Sequence, residues 1–115
     1  MQFVMMLCSD PSTWDMTPEQ DAAAMKEVYA WFEHWQTAGK ISSGGAELDA
    51  PDKAKTIRRG PDGKPVVTDG PYLELKEVVG GFIILETDGI DEAVEIASGW
   101  PWPGSSIEVR PVIVR

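Results

Sequence analysis

A chain of 115 residues suffices for one domain with a modest core, and its 43% hydrophobic and 25% charged composition is that of a folded soluble protein. Nineteen acidic against ten basic side chains give a net charge of −9, which excludes the clustered positive charge that nucleic acid or an anionic membrane demands. The lone Cys8 excludes an internal disulfide and, inside an apolar run, reads as a small core residue. No stretch approaches the roughly 18 apolar residues of a spanning helix. No basic and apolar leader opens the chain, so a cytoplasmic protein without membrane contact is expected.

Residues 2–8 (QFVMMLC) form a short continuous apolar run ended by Ser-Asp-Pro-Ser, the signature of a strand. A helix follows from Thr17 to Gly39. Thr17 as N-cap, Pro18 at the first helical position and Gln20 at the third make a capping box, and Gly39 is a natural stop. Met25, Val28, Phe32 and Trp35 are expected to form its apolar stripe. Residues 40–48 read as a weaker strand softened by Gly44 and Gly45, and 56–68 as an exposed hairpin folded at Pro61-Asp62-Gly63. Residues 80–86 (GFIILE and the preceding glycine) form a second continuous apolar strand. Residues 88–99 form a short helix with Ile90, Ala93, Val94 and Ala97 on one face, capped by Asp88 or Gly89. A strand over 106–115 closes the chain.

The order βαβ, hairpin, βαβ predicts an α+β fold. The expected form is a ferredoxin-like four-stranded antiparallel sheet with two helices on one face, in a single domain spanning 1–115. The strands at 2–8 and 80–86 are apolar on both sides and therefore central. The last carries Glu108, Arg110 and Pro111, which suits an edge. Two helices cover one face of such a sheet and leave the other apolar and bare. Monomers rarely tolerate that, so the expectation is a homodimer with sheets packed face to face.

The stretch VTDGPYLELKE (67–77) holds an Asp-Gly pair between apolar runs, but Pro71 lacks the N–H that a two-residue hairpin closing there would require. The turn is expected instead at Gly70-Pro71-Tyr72-Leu73, which leaves Asp69 at its mouth. Asp69 then either caps nearby N–H groups or serves as a proton acceptor in a cleft. Tyr72 is a candidate donor or stacking surface, and Lys76 with Glu77 a candidate ion pair or ligand clamp. Arg58 and Arg110 are candidate guanidinium groups for an anionic ligand. Trp102, with Trp100 between prolines, belongs to a stiff aromatic loop that suits packing or a pocket wall; Trp14 and Trp31 are open to the same two readings.

VTDGPYLELKEVVGGFIILE, DEAVEIA and IEVRPV together resemble the DGPF group of the YCII-related family, and the N-terminal half fits more loosely. The resemblance implies a dimeric α+β barrel, mostly bacterial, with no assigned biochemical role. Some members of that family are fused to sigma-factor domains. Related barrels include isomerases and dehydratases that work in a cleft between helices and sheet. The broader family carries a His–Asp pair, whose positions here correspond to Val28 and Trp100. His34 lies nearly half a turn from the apolar stripe and reads as a solvated helix residue. A His–Asp mechanism is not expected, because tryptophan cannot exchange a proton at neutral pH.

No metal-ligand spacing, nucleophile elbow or phosphate-cradling loop occurs, so neither metal nor cofactor is expected. Three readings remain open. The first is a dimer binding a small molecule, with anionic ligands included, near Asp69-Gly70-Pro71-Tyr72; any catalysis would be isomerase- or dehydratase-like, with Asp69 as acid/base. The second is a non-catalytic, transcription-linked interaction module that acts through protein partners, the motif being structural. The third is a structural dimer whose apparent sites are all packing.

Overall fold

The computed structural model describes residues 1–70 and 77–115, with Thr13 described for its backbone alone. The elements run β1 (Gln2–Ser9), α1 (Pro18–Thr37), β2 (Ile41–Glu47), β3 (Lys55–Arg59), β4 (Pro65–Asp69), β5 (Val78–Glu86), α2 (Ile90–Ser98) and β6 (Ser105–Pro111). The two apolar runs, β1 and β5, lie at the centre of a four-stranded sheet of order β2-β5-β1-β6, with every neighbouring pair antiparallel. Strands β3 and β4 form a separate two-stranded sheet. The architecture is α+β, in the ferredoxin-like arrangement the strand patterns predict.

Alternation along the strands divides the side chains between two faces. Phe3, Met5, Ile83 and Leu85 turn toward the helices and join Trp31, Ala93, Ile96 and Ala97 in one buried cluster. Each such large apolar side chain contributes about 1.5–3 kcal/mol on leaving water. Val4, Met6, Phe82 and Ile84 turn the other way and are only half-buried. The register sets Val4 beside Arg110 and Met6 beside Glu108, so the polar residues of β6 border an apolar strip.

Helix α1 starts as its sequence dictates. The Thr17 hydroxyl accepts from the Gln20 N–H at 3.1 Å, and the Gln20 side chain accepts from the Thr17 N–H at 2.9 Å. Its buried line is Ala24, Val28 and Trp31, which keeps Val28 of the expected stripe and puts Ala24 and Trp31 in the places expected for Met25 and Phe32. Met25, Phe32 and Trp35 flank that line and are half-buried. The reason is Trp31: its indole N–H donates to the Ile96 carbonyl at 3.3 Å, where the small Ala93 and Ala97 of α2 leave room.

Helix α2 is also rotated from expectation. Ala93, Ile96 and Ala97 are buried while Ile90 and Val94 face outward. Gly89, extended and without a side-chain bond, is its N-cap. The last strand stops at Pro111 and does not reach Arg115, because β1 begins at Gln2 and offers no backbone beyond the bond from the Val112 N–H to the Gln2 carbonyl.

Strand β2 is bulged between Ser42 and Ala46, and two glycines make this possible. Gly44 takes φ +109°, and a Cβ on Gly45 would lie 2.6 Å from the Phe82 carbonyl oxygen.

Candidate functional site

The ends of β1, β2 and β5 and the flank of α1 enclose an open cleft of about 1250 Å³. Sheet register builds its mouth. Ser9 pairs with Ser105, so the loop after β1 and the loop before β6 leave the sheet side by side, each carrying tryptophan. Asp10 caps a short 3-10 turn at Pro11–Thr13, and the Trp14 indole N–H donates to the Ser9 hydroxyl at 2.8 Å, which fixes one wall. Trp102 forms another, and Tyr29 and Phe32 of α1 a third. Glycines 44, 45, 80 and 81 line the floor with backbone in place of side chains.

Trp100 stands at the back, edge-on to Trp31 at 5.0 Å and to Phe32 at 5.9 Å between ring centres. Its indole Nε1 is, among the described residues, the buried side-chain polar atom without a hydrogen-bond partner. An unmet donor of this kind costs about 1–3 kcal/mol. Val28 and Trp100, the positions matched to the His–Asp pair, both line this cleft. Here they present a methyl surface and an indole.

The charged side chains among the described lining residues are Asp21, Glu47 and Asp49, with no Lys or Arg. The Ala50 N–H and the Lys53 ammonium hold the Asp49 carboxyl below its ordinary value. Cys8 also lines the cleft; burial, and then the carboxylates of Glu77 and Glu108, raise its thiol pKa, which disfavours the nucleophilic thiolate. Among the described residues no group of three or more His, Cys, Asp or Glu is placed to hold a metal.

The remaining sequence candidates are scattered. Asp69 sits on β4, its side chain 83% exposed, and pairs with the Lys55 ammonium directly across the hairpin. It does not line the cleft. The Gly70 N–H bonds the Ala54 carbonyl at 2.7 Å and the Thr56 hydroxyl donates to the Gly70 carbonyl at 2.6 Å, which closes the hairpin base. Arg58 is exposed on β3. Arg110 stands on the sheet face away from the helices, 4.0 Å from Glu108. Glu77 accepts from the Ser106 hydroxyl at 3.1 Å. Tyr72, Lys76 and the turn expected at 70–73 fall on or run into positions outside the described residues. Trp102 alone of the placed candidates reaches the cleft. His34 is exposed, its ring edge-on to Trp35 at 4.6 Å.

Of the two readings open for Trp14, the structure gives the pocket wall; Tyr29 and the carboxylates of Asp21 and Glu47 carry no such signal in the sequence. The pairing of the two tryptophan-bearing loops was the available signal, since it follows once β1 and β6 are known to be neighbours. Among the described residues no helix is long and apolar enough to cross a membrane.

Over 105 residues the chain is 32% identical to an uncharacterised protein of Rhizobium meliloti (strain 1021), covering 88% of this chain and 81% of the relative. The model of the YCII-related domain matches residues 1–114, and the chain belongs to that family.

Proposed function

We propose that this YCII-related chain acts as one domain of a homodimer and binds a small molecule in the cleft between α1 and the sheet. The observation that carries the reading is the cleft itself, aromatic-walled and backed by the unmet Trp100 N–H. Such a pocket suits a ligand with a flat apolar body and an acceptor atom for the indole. Its charge favours neutral or cationic ligands. An anion would meet three carboxylates and, among the described lining residues, no compensating Lys or Arg. With valine and tryptophan at the His–Asp positions, the reading is of a binding site and not of acid/base catalysis through that pair.

Asp69 enters this reading as the cross-strand partner of Lys55. The half-buried strip of Val4, Met6, Phe82 and Ile84 is the surface on which a second sheet would pack, with Arg110 at its border. Sedimentation that finds only monomer at micromolar concentration refutes the dimer.

For the ligand, tryptophan fluorescence and thermal shift are measured against three fragment sets: aromatic amines, neutral heteroaromatics and aromatic carboxylates. Saturable binding is expected from the first two sets. Trp102→Ala should weaken it tenfold or more, while Asp69→Asn leaves it unchanged. Absence of saturable binding by any set, or an unaltered affinity in Trp102→Ala, overturns the reading.

A further inference from the structure

The β3–β4 hairpin turns tightly. The Gly60 N–H bonds the Lys64 carbonyl at 2.8 Å, and Gly63 takes φ +80°. Beyond its own ladder it pairs with no described strand. Ile57 and Val67 stand opposite each other on one face, 67% and 59% exposed. Val66, on the other face, is 47% exposed. An isolated two-stranded hairpin is marginal in water, and an uncovered apolar cross-strand pair adds little to it.

The hairpin also extends the molecule. The Cα radius of gyration is 16.4 Å, against about 13 Å for a compact chain of this length. Its charge is inverted as well. Residues 55–70 hold four of the ten Lys and Arg and two of the nineteen carboxylates, so this segment is net +2 and the rest of the chain net −11. Lys55 and Arg59 share the face of Ile57 and Val67. The apolar pair is thus flanked by Arg59 at one end and by the Lys55–Asp69 pair at the other, a face of net positive charge that the remainder of the chain can match.

We infer that this face of the hairpin docks on the acidic body of a second copy, each arm of the homodimer reaching over its partner. The inference rests on the homodimer reading above. Complementarity selects the occupant: the arm is basic and apolar, and the body carries the net −11 of the rest of the chain. Docking would cover Ile57 and Val67 and supply the support that a lone hairpin lacks.

Sedimentation equilibrium tests it on the full chain, with far-UV circular dichroism as the check on folding. Ile57→Asp/Val67→Asp alters only exposed positions. It should leave the spectrum unchanged and raise the dimer Kd at least tenfold. Lys55→Glu/Arg59→Glu should raise it at low salt and less so at high salt. Hydrogen exchange of the wild-type hairpin amides should slow with rising protein concentration. A wild-type dimer whose Kd is unmoved by both variants overturns the arm and leaves the dimer standing. So do hairpin amides protected equally at every concentration, which would mean the arm covers its own body or a different partner is needed. A wild-type monomer overturns both readings.

Discussion

In β5, Ile83 and Leu85 turn onto the helices while Phe82 and Ile84 turn to the open face. In β3 and β4 the same period of two brings Ile57 and Val67 to one face with no described element above them. Body and hairpin therefore share a strand pattern and differ in what lies over it. Alternation assigns side chains to faces, but a face stabilises a fold only when another element excludes water from it. The largest prediction exploits this difference. Leu85→Ala, at a side chain with no exposure, should cost about 2–5 kcal/mol of global stability. Val67→Ala should leave the urea midpoint of the monomeric body unchanged at dilutions below any dimer Kd. A Val67→Ala loss as large as that of Leu85→Ala would show that hairpin and body fold as one packed unit, and would end the distinction.

The sheet order was legible because two-sided apolar strands can only be central, and both Met5 and Met6 had to be covered from some direction. The capping box was legible because Thr17 and Gln20 satisfy each other locally, with no tertiary information needed. Helix phase was not. Ala24 carries too little apolar surface to stand out in a pattern, and Ala93 and Ala97, expected on the apolar face of α2, are buried with Ile96 in place of Ile90 and Val94. The small α2 side chains lie in one cluster with Trp31, whose indole needs both space and an acceptor. The cleft was legible only in part. Trp100 and Trp102 marked it, whereas Asp69 drew attention through a local anomaly, the proline after Asp-Gly. Pro71 lies outside the described residues, and what the structure shows of Asp69 is set at a distance: the turn at Gly60–Lys64 fixes the register that puts Lys55 opposite Asp69.

Glycine gives a finer contrast. Gly45 serves the body by being small: a Cβ there would lie 2.6 Å from the Phe82 oxygen and 3.2 Å from the Ile83 Cα, both backbone of the central strand. Gly63 serves the hairpin through conformation: its φ is +80°, and a Cβ would meet nothing within 4 Å. Gly45→Ala should therefore force β2 away from β5 and cost about 1–3 kcal/mol globally. Gly63→Ala should cost about 1–2 kcal/mol in the turn alone. Equilibrium unfolding reads the first. Faster amide exchange confined to 55–69, with an unchanged global midpoint, reads the second. Equal global losses from the two substitutions would contradict the division.

The smallest effect compares two ion pairs. Lys40, just before β2, donates to the Glu92 carboxylate in the first turn of α2 at 3.1 Å, and so does the Asp88 N–H at 3.1 Å. The Asp88 bond first, and Lys40 second, hold the Glu92 carboxyl below its ordinary value. A carboxyl depressed in the folded state stabilises above its unfolded value of about 4.3, and the contribution fades as pH falls through the lower folded value. Glu92→Gln should therefore lower the urea midpoint at pH 7 and match wild type in acid, once the Glu92 carboxyl is protonated in the folded and the unfolded state alike. Glutamine keeps an acceptor for the Asp88 N–H, so most of the loss reports Lys40, and added salt should shrink it. The hairpin pair, Lys55 with Asp69, joins two residues of one ladder, whereas Lys40 with Glu92 ties a helix to the edge of the sheet. Asp69→Asn should then leave the global midpoint at pH 7 where wild type has it, because its pair holds together only the hairpin that body unfolding does not need.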